Sequence, residues 1–191
     1  KVYGEDIATL AGDALLTAAF RYLAQLDVPA DRALACVELL SQAAGEQGMV
    51  AGQVLDLLGE QRKLTEEKLR EVHWHKTGDL IRASCQMGVL LGGGNSVQLE
   101  CAGKFAMALG MAFQIRDDLL DCIGTQQQLG KPIGSDAENG KTTFVTLFGQ
   151  ENCQRMVEEE TARALSYLEE GAFRNTEFLC ELAQMLTART K

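Results

Sequence analysis

Only two prolines, Pro29 and Pro132, interrupt the 191 residues of this chain. Proline removes a backbone donor and clashes with the preceding turn, so a sequence nearly free of it can carry long helices. Apolar residues recur at three- and four-residue spacing along almost the whole length. Aromatic residues make up 6% of the chain, which leaves a β-sheet poorly supplied. The pattern predicts an all-α protein, a single helical domain over residues 1–191.

Helices are predicted over about Glu5–Leu26, Asp31–Ala44, Gly48–Leu58 and Thr65–Leu91. A turn at Val28-Pro29 separates the first two. Thr65 suits an N-cap, with Glu66 and Glu67 in the first turn. Gly92-Gly93-Gly94-Asn95 stops the fourth helix, and Ser96 is expected to cap a fifth that ends near Gly124. A polar loop follows over Thr125–Gly140. Its Ser135-x-x-Glu138 has the form of a capping box, but Asn139-Gly140 follows at once and no long helix is expected there. Shorter helices are expected over Lys141–Phe148, Glu151–Glu169 and Thr176–Arg189.

The net charge is -9. A nucleic-acid protein needs a basic face to replace counterions on phosphates, so that class is excluded. A small phosphorylated ligand needs only a local cluster of cations or a metal and stays allowed. The six cysteines are Cys36, Cys85, Cys101, Cys122, Cys153 and Cys180. None forms a CxxC pair, and several lie in apolar stretches, which reads as reduced, buried thiols in a cytoplasmic protein rather than zinc ligands. Asp13, Arg21 or Asp117 breaks each of the longest apolar stretches, so neither signal peptide nor membrane span is expected. The sequence opens on Lys1, and an upstream segment is expected to precede it.

The fifth helix carries the chemistry. Its segment Phe105–Phe113 is apolar around nearly the whole circumference, which predicts a central place in the bundle. Three carboxylates, Asp117, Asp118 and Asp121, then arrive together. Asp117 and Asp121 are one turn apart and share a face with Gln114. Two like charges so placed repel, and a cation between them is expected. Oxygen-only ligands suit Mg²⁺, which keeps waters and accepts substrate phosphates. From spacing alone, a solvated acidic helix end explains the cluster equally well.

Lys76-Thr77-Gly78 precedes an apolar run, where Lys76 can meet a phosphate or simply snorkel to solvent. Lys131 and Lys141 stand beside glycines in the loop after the acidic cluster, a setting that brings ammonium and backbone groups to phosphate. The GxxxxGK[ST] order of a P-loop is absent. Gln53 and Asp56 interrupt an apolar third helix and are expected to face a polar interior. His73 and His75 cannot share one metal on one helix face and read as structural or exposed. Trp74 reads as packing.

Together these segments resemble the trans-isoprenyl diphosphate synthase family. The matching stretches, in family order, are Val2-Tyr3-Gly4-Glu5, Ala11-Gly12-Asp13-Ala14-Leu15, Gly52-Gln53-x-x-Asp56-Leu57, Lys76-Thr77-Gly78-x-Leu80-Ile81, Phe113-Gln114-Ile115-Arg116-Asp117-Asp118-Leu119-Leu120-Asp121 and Leu129-Gly130-Lys131-Pro132. The resemblance implies an isoprenoid synthase-type helical bundle around a central cavity. It implies Mg²⁺-dependent ionisation of an allylic diphosphate, attack by isopentenyl diphosphate, and loss of a proton.

By the same resemblance, Asp117 is the main metal ligand, and Asp118 and Asp121 complete the motif directly or through water. Lys76, Lys131 and Lys141 hold the allylic diphosphate. Thr77 and Gln114 turn oxygen dipoles toward the developing cation, Phe113 flanks the isopentenyl pocket, and Gln53 lines the cavity. The family's first Asp-rich motif and the arginines after it are absent from this sequence. The chain therefore corresponds to the C-terminal part of such an enzyme, and as an isolated segment it is expected to be inactive.

The pattern looks most like bacterial farnesyl diphosphate synthases, with geranylgeranyl diphosphate synthases next. A homodimer without membrane insertion is implied. Other readings are a non-catalytic partner subunit, a class I terpene cyclase and a plain helical scaffold. The cyclase would carry an NSE-type second motif where this chain has DDxxD. The scaffold gives no reason for Gln114, Asp117 and Asp121 on one apolar helix. A di-iron bundle lacks its Glu-x-x-His pairs.

Overall fold

The structure is a computed structural model that describes residues 2–60, 62–123 and 141–189. Lys131 and the glycine-containing stretch around it lie outside the described residues. Among the described residues the elements are helices, with no strand. They are α1 (Glu5–Ala24), α2 (Ala30–Ala44), α3 (Met49–Gly59), α4 (Glu66–His73), a π-helical turn (Trp74–Gly78), α5 (Asp79–Leu91), α6 (Ser96–Ile123), α7 (Phe144–Phe148), α8 (Gln150–Glu170) and α9 (Glu177–Ala188).

Helix α6 is the axis of the bundle. It packs against α4, the π turn, α5, α7, α8 and α9. Alanines at 102, 106, 108 and 112 are buried along it, and such small side chains let neighbouring helices approach closely. One core cluster joins Met111, Ile115 and Leu119 of α6 to Leu69, Phe144, Cys153 and Val157. A second joins Phe105 and Leu109 to Ala164, Leu168 and Ala183. Burying each large apolar side chain stabilises the fold by roughly 1.5–3 kcal/mol.

The helix starts are chemically marked. Thr65 caps α4, its hydroxyl accepting from the Lys68 amide at 3.4 Å. Asn95, not Ser96, caps α6. The Asn95 side chain accepts from Gln98 N–H at 2.9 Å, and Gln98 Oε1 accepts from Asn95 N–H at 3.1 Å. This reciprocal pair is a capping box with an amide in each role. Residues 141–143 do not join α7: Thr143 is extended and caps it through a capping box with Thr146.

The expected helix Thr65–Leu91 is interrupted by the π turn. At this level Gly52 of α3 lies against the turn: a Cβ built on Gly52 would stand 2.1 Å from the Lys76 backbone nitrogen. Only glycine permits that approach. An inserted π turn re-aims the side chains that follow it.

Trp74 is 41% exposed rather than packed inside. The thiols also diverge: Cys36, Cys101 and Cys153 are buried, Cys85 and Cys180 are partly buried, and Cys122 is exposed. Helix α1 has no buried residue and presents Ile7, Leu10, Leu15 and Tyr22 to solvent. By length and composition alone it is long and apolar enough to cross a membrane, even with Asp13 and Arg21 on it. In the fold it lies against α2. Helix α3 exposes a second apolar stripe, Val50, Val54, Leu57 and Leu58.

Candidate active site

The site is built where α3, the π turn and the lower half of α6 meet the returning segment before α7. Asp56 is the only acidic residue of α3 and is 7% exposed. Its carboxylate accepts from Lys76 Nζ at 2.5 Å, and its other oxygen lies 3.0 Å from Lys141 Nζ. Burial alone would push the Asp56 carboxyl up. The hydrogen bonds and charges of Lys76 and Lys141 outweigh it and hold the group below the usual range. Two lysines far apart in sequence thus converge on one carboxylate. Lys76 is not a snorkelling surface lysine.

The next residue along the π turn, Thr77, reaches α6. Its hydroxyl donates to Gln114 Oε1 at 2.7 Å. Gln114 is one turn before Asp117 on the same face of α6, and the charges of Asp56, Lys76, Lys141 and Asp117 all act on the buried His73 ring.

The three aspartates of α6 are treated differently. Asp117 is partly exposed, and its Oδ1 accepts from Arg189 Nη2 at 2.9 Å. A guanidinium thus neutralises Asp117 in this structure. That guanidinium also lies over the Phe113 ring at 4.1 Å, and the Arg189 carbonyl accepts from Arg116 Nε and Nη2 at 2.9 and 2.7 Å. Asp121 is 3% exposed. Asp118 points elsewhere: its Oδ2 accepts from the Phe144 amide at 2.8 Å and so anchors the start of α7. Among the described residues no three His, Cys, Asp or Glu side chains converge as a metal cluster would. Asp118 thus diverges from Asp117, because successive residues on a helix point about 100° apart.

His73 lies behind this surface. Its ring stacks on Phe144 at 5.5 Å, and neither nitrogen has a hydrogen-bond partner among the described residues. Burial holds its imidazole down at about 4, so it is neutral at physiological pH. His75 instead bonds Asp79 at 2.8 Å. Leu64 N–H donates to Thr142 Oγ1 at 3.1 Å, which fixes the segment that delivers Lys141. Phe113 is partly buried and lines an apolar cavity of about 300 Å³ with Ile81, Leu109, Leu182 and Leu186.

Of the residues singled out in sequence, the fold links Lys76 with Lys141 and Thr77 with Gln114. Gln53, expected to face inward with Asp56, is exposed instead. Asp56 does face inward as expected, though no site role was assigned to it, and Arg189 was not among the candidates. Asp56 carried a legible signal, a lone acid in an apolar helix. Arg189 carried none, since its approach to Asp117 depends on the path of α9.

The oxygen donors of Asp117 and Asp121, one turn apart, suit Mg²⁺, which needs few protein ligands when waters and phosphates complete its shell. The family model for polyprenyl synthetase matches residues 1–177. A farnesyl diphosphate synthase of Geobacillus stearothermophilus is 46% identical over 150 residues, 77% of this chain and 50% of the relative. The chloroplastic geranylgeranyl pyrophosphate synthase 3 of Arabidopsis thaliana is 40% identical over 165 residues, covering 83% and 46%. A crystal structure of a geranyltransferase from Helicobacter pylori, complexed with magnesium and isoprenyl diphosphate, superposes with a TM-score of 0.77. It is 29% identical, with 97% of this chain and 59% of that one covered. The chain spans about half the length of the curated relatives it matches. An all-helical fold, an acidic motif on its central helix and two converging lysines accompany these matches, and the chain belongs to the polyprenyl synthetase family, among trans-isoprenyl diphosphate synthases of the short-chain type.

Proposed function

We propose that this chain supplies the second metal motif and the diphosphate-binding lysines of a short-chain prenyltransferase. The enzyme condenses an allylic diphosphate with isopentenyl diphosphate to give farnesyl diphosphate. The observation that carries this reading is the convergence of Lys76 and Lys141 at Asp56, beside the Thr77–Gln114 pair and Asp117.

Ionisation of an allylic diphosphate needs positive charge on the leaving group and none near the carbon skeleton. Lys76 and Lys141, together with Lys131, hold the diphosphate and take up the charge it gains as the carbon–oxygen bond breaks. Bound Mg²⁺ would add Lewis-acid stabilisation of that same leaving group. Asp117 and Asp121 would hold the ion, with Asp118 completing the motif while its Oδ2 keeps the Phe144 amide. Thr77 and Gln114 present oxygen dipoles to the allylic cation. Phe113 borders the isopentenyl pocket. Gln53, exposed on α3, lines the cavity.

The uncovered apolar stripes of α1 and α3 support a homodimer, since large exposed apolar patches mark interaction surfaces. The net charge of -9 supports a reading without nucleic acid. A cytoplasmic enzyme without membrane insertion fits the buried thiols of Cys36, Cys101 and Cys153 and the similarity to bacterial farnesyl diphosphate synthases. Geranylgeranyl diphosphate is the second product, favoured by the similarity to the Arabidopsis geranylgeranyl pyrophosphate synthases.

The test incubates the complete gene product with dimethylallyl diphosphate, isopentenyl diphosphate and Mg²⁺ and sizes the products. A fifteen-carbon product that disappears in Asp117→Ala is the expected result, and a twenty-carbon product moves the assignment to geranylgeranyl. Metal-dependent substrate binding without elongation overturns the reading and leaves a non-catalytic partner subunit.

A further inference from the structure

We infer that Asp56 is a positioning residue for the diphosphate site, a resident anion that keeps Lys76 and Lys141 converged until a diphosphate takes them over. This rests on the prenyltransferase reading given above. The first ground is geometry. One carboxylate engages both ammonium groups, one on each oxygen, at 2.5 and 3.0 Å. The second is where the three residues come from. Asp56 is fixed on α3, which Gly52 seats directly against the backbone of Lys76. Lys76 sits on the π turn, and Lys141 lies on the extended segment held by Thr142 and by Phe144. Three separate pieces of backbone thus meet at one carboxylate.

The third ground is charge. Two ammonium groups brought together repel, and the carboxylate between them offsets that repulsion. His73 adds no charge there, because burial keeps its imidazole neutral. Asp56 and the two lysines together carry one net positive charge, which still attracts a polyanion. The carboxylate is bound to the lysines by only one contact each, whereas a diphosphate offers several oxygens and displaces it by forming more charge-assisted hydrogen bonds.

A competing possibility is that Asp56 merely opposes anion binding. The two ideas predict opposite signs. If Asp56 positions the lysines, Asp56→Asn weakens the site. If it only competes for them, Asp56→Asn tightens it. The experiment measures calorimetric binding of inorganic diphosphate with Mg²⁺ to the complete gene product and, in parallel, the KM for each prenyl substrate.

The expected result is roughly tenfold weaker diphosphate binding in Asp56→Asn, with Asp56→Glu recovering most of it. The KM for the allylic diphosphate should rise by a similar factor, with the KM for isopentenyl diphosphate and the melting temperature little changed. In a Lys76→Met, Lys141→Met background the effect of Asp56→Asn should vanish, which a general folding defect would not produce. Unchanged or tighter diphosphate binding in Asp56→Asn overturns the proposal. So does an equal rise in both KM values accompanied by a lower melting temperature. Because binding is read with inorganic diphosphate, absence of prenyl transfer in the wild type would sink the enzyme reading while leaving this test intact.

Discussion

Replacing His73 by phenylalanine should remove a pH-sensitive weakness from the fold. The His73 ring stacks on Phe144 with an interplanar angle of 26°, and neither nitrogen has a hydrogen-bond partner among the described residues. A phenyl ring can keep the stack, so the change at neutral pH is one of packing alone, about 1 kcal/mol in either direction. In the unfolded chain the imidazole titrates near 6.5, while in the fold burial holds it at about 4. As pH falls between these values the unfolded state takes up a proton that the folded state refuses, so stability falls with it. Below the folded value both states are protonated and the loss stops growing. Between about pH 7 and about pH 4.5 this linkage amounts to roughly 2 kcal/mol. Urea-denaturation midpoints of the complete wild-type protein and His73→Phe, taken at both pH values, isolate the effect, because carboxylate titrations common to both proteins cancel. The stability difference should move by about 2 kcal/mol in favour of the variant on acidification. Parallel pH dependence in the two proteins would refute the reasoning.

Gly52→Ala should destabilise by about 3 kcal/mol in the same assay and lower turnover, because its Cβ would meet the Lys76 backbone at 2.1 Å. Asp118→Ala should cost about 2 kcal/mol by leaving the buried Phe144 amide unpaired. Asp117→Ala should cost less than about 1 kcal/mol, since its pair with Arg189 is partly exposed, yet abolish elongation. Equal stability losses in these two variants would contradict the division of labour within the acidic motif. Thr77→Val should lower stability by about 1 kcal/mol through its lost bond to Gln114, with a larger proportional loss in kcat than in KM. A change confined to KM would remove Thr77 from the reacting centre.

The helices were legible in sequence because helix formation and capping are local. Spacing of three and four residues marks the faces, and Thr65 and the Gly92–Gly94 run mark ends within a turn of the residues concerned. The central place of α6 was legible too, since a helix apolar on every side has to be covered on every side. Even so, capping was readable only to within a residue. Ser96 and Asn95 are both good caps, and the reciprocal bond between Asn95 and Gln98 decides between them.

The site lies on the other side of that divide. Asp56 meets Lys76, Thr77 meets Gln114, Asp118 meets the Phe144 amide and Arg189 meets Asp117 across separations of 20, 37, 26 and 72 residues. No periodicity encodes such pairs. Sequence alone determined which helices form and which of them is central. The tertiary structure decided that Asp118 holds backbone while Asp117 faces a cation, that the helix through Lys76 breaks into a π turn, and that Asp56 gathers two lysines. Each outcome depends on how closely two helix backbones approach, and Gly52 sets that distance only once α3 and the π turn have met.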